Sequence, residues 1–237
     1  MEEDVLKGKT LLVVDDEVDL RDIVASELEF MGAKVFQAEN ILSAQRVLAS
    51  HKIDLIISDI RMPGGTGVDL LDVVKAKDVQ VPPVILITGF ADITNEDAFD
   101  KGAEALLNKP FKLDDLIKMA VRYTSPVEER FNHGTIETRK EVKPINGELK
   151  IGRGGVSLKL DTHGTKYEIG EVVRFNFTYG DKSFTGEGIC RWFKPTDQGA
   201  QKATMGVEFL HLTPETLDHF KDYFEDSKVV PYIPSFS

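Results

Sequence analysis

The chain has 237 residues, 41% of them hydrophobic and 29% charged, which suits two domains with real cores, and no run reaches the roughly 20 apolar residues a membrane-spanning helix needs. The net charge of −11 divides into 14 basic against 23 acidic residues in 1–125 and 15 against 17 in 126–237, so neither half is a basic module and non-specific capture of DNA is excluded as a bulk property. One cysteine, Cys190, excludes an internal disulfide, and the acidic start Met1-Glu2-Glu3-Asp4 does not read as a signal peptide, so a cytoplasmic protein is expected.

In chain order, the first half alternates short apolar runs with helical patterns. The runs are Thr10–Val14, Ala33–Ala38, Asp54–Ser58, Val84–Thr88 and Ala105–Leu107, short and continuous as strands buried on both faces should be. Leu20, Ile23, Val24 and Leu28 mark one amphipathic helix between them, and Leu70, Leu71 and Val74 another. Five βα units in series predict a doubly wound five-stranded parallel sheet over residues 1–124. A linker is expected at 125–129, where Ser125-Pro126 marks the seam.

From residue 130 to 237 the period changes to two. Val156, Leu158 and Leu160 alternate with polar residues, as do Val173, Phe175, Phe177 and Tyr179, and Met205, Val207 and Phe209. Turn signals at Asn146-Gly147, His163-Gly164, Gly180-Asp181 and Asp197-Gln198-Gly199 punctuate these strands. A small antiparallel β-barrel is expected, followed by a C-terminal helix with Thr213 as N-cap, Pro214 in its first position and Leu217, Phe220 and Phe224 as its apolar face. Trp192 and Phe193 read as core or rim aromatics, Cys190 as buried and inert, and the tail Val229–Ser237 as a segment that frays or packs locally.

Ligands of a doubly wound sheet sit beyond the carboxyl ends of its strands. Asp15 and Asp16 end the first strand, Asp59 the third, Thr88 the fourth and Lys109 the fifth. Crowded carboxylates repel unless a cation joins them, and hard oxygen ligands favour Mg²⁺. A carboxylate paired with a metal, beside a lysine and a hydroxyl, suits attack on a phosphoryl donor.

These residues, with the runs Asp59-Ile60-Arg61-Met62-Pro63, Thr88-Gly89 and Lys109-Pro110-Phe111, resemble the bacterial response-regulator receiver family over residues 8–124. The resemblance implies that Asp59 is the phosphoacceptor and that Thr88 and Lys109 grip the phosphoryl group. It implies Asp16, Asp59 and the Arg61 backbone carbonyl as Mg²⁺ ligands, with Asp15 acting through water, and a cis bond before Pro110. It further implies a sensor histidine kinase as partner, a homodimer as one form, and no enzymatic activity beyond self-phosphorylation and dephosphorylation. The family often has Tyr or Phe three residues before the lysine; Leu106 stands there instead.

The second half resembles PilZ, on its barrel-plus-helix pattern, the Gly154-Gly155-Val156 turn and Gly206-Val207-Glu208-Phe209. PilZ domains often bind cyclic di-GMP through Arg-x-x-x-Arg and Asp/Asn-x-Ser-x-x-Gly. Here the turn reads Lys150-Ile151-Gly152-Arg153-Gly154-Gly155, keeping only Gly155, and Arg130 has no second arginine four residues on; Arg139 and Lys143 form an offset basic pair. Candidate ligand residues are therefore Arg130, Arg139, Lys143, Arg153 and Gly155. Two outputs stay open: contact with a downstream protein partner, or cyclic di-GMP binding with phosphorylation as a second input. A helix pattern suited to DNA is absent, since Pro214–Asp226 carries more acid than base.

Overall fold

The computed structural model describes residues 4–77, 82–89, 93–131, 140–152, 154–196, 202–226 and 235–236. The chain divides into two compact units, the first ending at Ser125 and the second beginning at Pro126. Among the described residues, no helix is long and apolar enough to cross a membrane.

The first unit runs β1 (Thr10–Val14), α1 (Val18–Phe30), β2 (Lys34–Ala38), α2 (Ile41–Ser50), β3 (Leu55–Asp59), the hairpin strands β4 (Arg61–Met62) and β5 (Gly65–Thr66), α3 (Gly67–Lys77), β6 (Val84–Thr88), α4 (Asn95–Asp100), β7 (Ala105–Asn108) and α5 (Leu113–Thr124). Five strands pair in parallel in the order β2-β1-β3-β6-β7. Every residue of β3 and β6 is buried, which explains why these runs are continuous rather than alternating. Local chemistry sets the helix starts. Asn40 and Ser43 cap α2 reciprocally, side chain to backbone in both directions. Asp114 and Asp115 lie in the first turn of α5 and Arg122 in its last, complementing the helix dipole.

Helix α1 departs from expectation at one position. Leu20, Val24 and Leu28 face the core, but Ile23 is 53% exposed. Positions 20, 24 and 28 form a single i, i+4 row, and 23 falls beside that row rather than on it.

The second unit holds α6 (Val127–Arg130), β8 (Lys140–Val142), β9 (Pro144–Ile151), β10 (Gly155–Asp161), β11 (Val172–Tyr179), β12 (Lys182–Pro195), β13 (Lys202–Leu212) and α7 (Pro214–Asp226). A two-residue strand, β14 (Ser235–Phe236), lies at the β7 edge of the first sheet, and Phe236 groups with the first unit. Helix α6 stands where a linker was expected. The second sheet has the order β8-β11-β12-β13-β10-β9, and β9 comes back towards β11, so the sheet is nearly a closed barrel. Its pairings are antiparallel except that β8 runs parallel to β11.

The period-two rows point inward as expected: Val156, Leu158, Leu160, Val173, Phe175, Phe177, Met205, Val207 and Phe209 are all buried in one core. Helix α7 caps that core. Thr213 accepts a hydrogen bond from the Thr216 N–H at 3.3 Å, and Phe220 packs edge-on to Phe131 and Phe209.

Gly180 has φ +63 as the first central residue of the two-residue β11–β12 hairpin, the conformation a type II′ turn requires. His163 and Gly164 also turn with positive φ. Asn146-Gly147 does not turn. Strand β9 runs through it, and the register against β10 slips there, as at a β-bulge. The Asp197-Gln198-Gly199 signal, Phe224 and most of the tail lie outside the described residues and side chains.

Candidate functional site

The sheet of the first unit delivers its polar residues to one end. Asp15 follows β1, Asp59 and Thr88 close β3 and β6, and Lys109 follows β7. Asp15, Asp59 and Thr88 are buried, at 3%, 4% and 2% exposure. Backbone bonds lock the strand ends together: Ile60 N–H donates to Ile87 O at 2.8 Å, and Lys109 N–H donates to Thr88 O at 2.6 Å. The Lys109-Pro110 bond is cis. Gly67 allows α3 to begin against the carboxyl end of β3, because a Cβ there would stand 2.1 Å from the Asp59 carbonyl oxygen.

The Lys109 ammonium is the hub. Its Nζ lies 2.7 Å from Asp59 Oδ1, 3.3 Å from Asp15 Oδ2 and 3.0 Å from Glu17 Oε1. The second oxygen of Asp59, Oδ2, accepts the Arg61 N–H at 2.6 Å, and Asp15 Oδ1 accepts the Glu17 N–H at 2.8 Å. Burial alone would lower the Lys109 pKa, but hydrogen bonds to Asp59 and Glu17, with the charges of Asp15 and Asp59, raise it above its ordinary range. Asp15 also titrates above its usual range. There burial dominates and the Asp59 charge adds to it, outweighing the Glu17 N–H and the nearby ammonium. The pair thus keeps the lysine charged while Asp15 stays a weakened acid.

The donor set fits a hard divalent cation. Two buried carboxylates already share one positive group, which stands in for a cation between them. Asp16 is exposed beside them, at the mouth. Arg61 is exposed too, and its N–H is bound to Asp59. The site therefore gathers Asp15, Asp59, Thr88 and Lys109, with Asp16 at its rim. It also includes Glu17, which carried no signal in the sequence beyond following Asp-Asp. Leu106 is core-facing, at 4% exposure.

The candidate ligand residues of the second unit do not converge in this way. Arg139 and Arg153 lie outside the described residues. Gly155 starts β10, opposite Glu208. Lys143 is exposed and immediately precedes Pro144, which pairs with Leu160 near the far end of β10. Five strand steps separate Gly155 from Leu160, about 17 Å. Arg130 closes the short helix α6 and is half-buried. Trp192 and Phe193 part company: Phe193 packs on the barrel core, while the Trp192 indole lies over Gly206 on the outer face.

Comparison with known proteins agrees with both halves. The model of the response regulator receiver domain matches residues 11–121, and that of the PilZ domain matches residues 121–226. The phosphate regulon transcriptional regulatory protein PhoB of Pseudomonas aeruginosa is 35% identical over 187 residues, covering 75% of this chain and 76% of PhoB. The nitrogen assimilation regulatory protein NtrX of Azorhizobium caulinodans is 27% identical over 216 residues, 88% of this chain but 45% of NtrX. The response regulator protein PilR of Pseudomonas aeruginosa is 34% identical over 122 residues, half of this chain and 27% of PilR. The chain belongs to the response regulators, with a receiver domain joined to a PilZ domain.

Proposed function

We propose that this chain is a phosphorylation-controlled signalling protein in which Asp59 accepts a phosphoryl group from a histidine kinase and the PilZ domain delivers the output to a protein partner. The observation that carries this reading is the buried Asp59 carboxylate, held by Lys109 at 2.7 Å and by the Arg61 N–H at 2.6 Å, at the carboxyl end of a parallel sheet. An Asp59 oxygen attacks phosphorus, and the bond from phosphorus to the donor's leaving group breaks. Lys109 neutralises charge on the transferring oxygens, and the Thr88 hydroxyl hydrogen-bonds one of them. Mg²⁺ bound by Asp16, Asp59 and the Arg61 carbonyl, with Asp15 behind it, would supply further charge neutralisation. The chain's own chemistry is limited to gaining and losing this phosphoryl group.

Helix α1, next to the pocket, exposes Val18, Ile23 and Phe30 at 56%, 53% and 61%. Ile23 and Phe30, seven residues apart, share one face of α1, and such an exposed apolar face suits a docking kinase. For the output, the separation of Lys143 from Gly155 favours a protein partner over a cyclic di-GMP site built from both.

Acetyl phosphate with Mg²⁺ is expected to give a phosphorylated band on a phosphate-affinity gel, absent in Asp59→Asn. No such band from the folded wild-type chain, with acetyl phosphate or any kinase, would sink the reading. A calorimetric titration with cyclic di-GMP tests the output, and micromolar or tighter binding would overturn the preference for a protein partner.

A further inference from the structure

Three carboxylates hold Lys109, and they are not alike. The Asp15 and Asp59 side chains are 4% and 6% exposed, whereas the Glu17 side chain is 65% exposed and reaches over the mouth of the pocket. Glu17 is also the N-cap residue of α1, yet its side chain makes no capping bond. Its backbone N–H is anchored on Asp15 Oδ1 at 2.8 Å, and its carboxylate lies 3.0 Å from the ammonium. A carboxylate at a helix N-terminus ordinarily serves the free N–H groups there. This one is turned to Lys109 instead.

We propose that Glu17 is a positioning residue that competes with the phosphoryl group for Lys109 and thereby shortens the life of the phosphorylated state. The inference rests on the reading of Asp59 as the phosphoacceptor. With acetyl phosphate, Asp59 gains a P–O bond and acetate departs with the electron pair of the broken one. The carboxylate at 59 has become a dianionic phosphoryl group. Lys109 turns to it, so Glu17 loses its partner and faces new negative charge a few ångströms away. Both effects raise the phosphorylated state above the unmodified one. Hydrolysis relieves them: water adds to phosphorus, the Asp59–phosphorus linkage breaks, inorganic phosphate leaves and the carboxylate returns.

Glu17→Gln removes the charge and keeps the length of the side chain. The position is exposed, so the variant is expected to fold, and an unchanged melting curve checks this. Two quantities are measured on the full chain: the lifetime of the aspartyl phosphate after removal of acetyl phosphate, and the affinity for beryllofluoride with Mg²⁺ by calorimetry. Each is expected to rise about two- to fivefold, the range an exposed ion pair commands. The gain should shrink in molar salt, where screening acts within about 3 Å, and a purely structural role would not show that dependence. Equal or lower values for Glu17→Gln, or a gain indifferent to salt, would overturn the inference while leaving the phosphoacceptor reading intact. A wild-type chain that neither phosphorylates nor binds beryllofluoride would overturn both.

Discussion

Replacing Lys109 by alanine separates the two jobs of the ammonium. In the resting pocket it lies within 2.7–3.3 Å of three carboxylates, two of them buried. Removing one partner from a buried ion pair costs about 3–5 kcal/mol, because the remaining charges are left without compensation. Lys109 is itself 20% exposed and water reaches the mouth, so a smaller loss, about 2–3 kcal/mol, is expected for the first unit. The same substitution removes the positive charge that competes with a divalent cation for the Asp15 and Asp59 carboxylates. Lys109→Ala should therefore bind Mg²⁺ more tightly than the wild-type chain, and Mg²⁺ at 100 times its dissociation constant would return about 2.7 kcal/mol.

The assay is urea unfolding of the full chain in a chelator and in Mg²⁺. Trp192, the chain's one tryptophan, lies in the second unit and reports that unit by fluorescence, so a transition seen only by circular dichroism belongs to the first. The pH dependence has a definite sign. Asp15 has a folded pKa raised above 3.8, so the folded state holds its proton more tightly than the unfolded chain, and ionisation above 3.8 costs stability. Without Lys109 that cost grows. The deficit of the variant should fade as acid protonates Asp15. An unchanged midpoint in chelator, or weaker Mg²⁺ binding by Lys109→Ala, would refute the reasoning.

Ile23→Ser with Phe30→Ser is expected to slow phosphorylation by the cognate kinase while leaving acetyl phosphate labelling unchanged; equal losses with both donors would remove α1 as the docking surface. Gly206→Ala places a Cβ 2.1 Å from the Trp192 Nε1, so a loss of about 1–3 kcal/mol and a red shift in tryptophan emission should appear together by chemical denaturation and fluorescence. Burial and the nearby Glu171 charge push the Cys190 thiol up to about 11. A thiol reagent at mildly alkaline pH should therefore label Cys190 only after unfolding, and rapid labelling of the native chain would contradict its burial.

The strands were legible because their two burial regimes leave different marks. Residues covered on both faces, as in β3 and β6, read as unbroken apolar runs, and residues covered on one face, as in β10, β11 and β13, alternate. The pocket was legible because each of its members ends a recognisable strand. What was missed lacks such a mark. Ile23 has the hydrophobicity of a core residue and differs only in angle around α1. Asn146-Gly147 carries turn chemistry, but the pairing of β9 with β10 overrides it. The parallel alignment of β8 with β11 depends on a partner about thirty residues away and leaves no local trace. Glu17 looks like any surface acid until folding brings Lys109, 92 positions along the chain, to 3.0 Å from it.

Leu106 limits how this pocket can relay its state. An aromatic ring at that position could swing between solvent and interior, but Leu106 is 4% exposed and pairs in register beside Leu86 in a packed sheet. Expelling a leucine to water costs about 1.5–3 kcal/mol. Allosteric coupling free energies are typically about 1–3 kcal/mol, so the swing would consume the whole coupling. The backbone offers a path without that cost. The Thr88 carbonyl holds the Lys109 N–H, and the Ile87 carbonyl holds the Ile60 N–H. A phosphoryl group on Asp59 that drew Thr88 and Lys109 inward would therefore move the ends of β6 and β7 directly. Leu106→Ala should lower the stability of the first unit by about 2–5 kcal/mol through the cavity it opens, yet leave beryllofluoride affinity near the wild-type value. A loss of affinity in step with the loss of stability would place the Leu106 side chain in the relay after all.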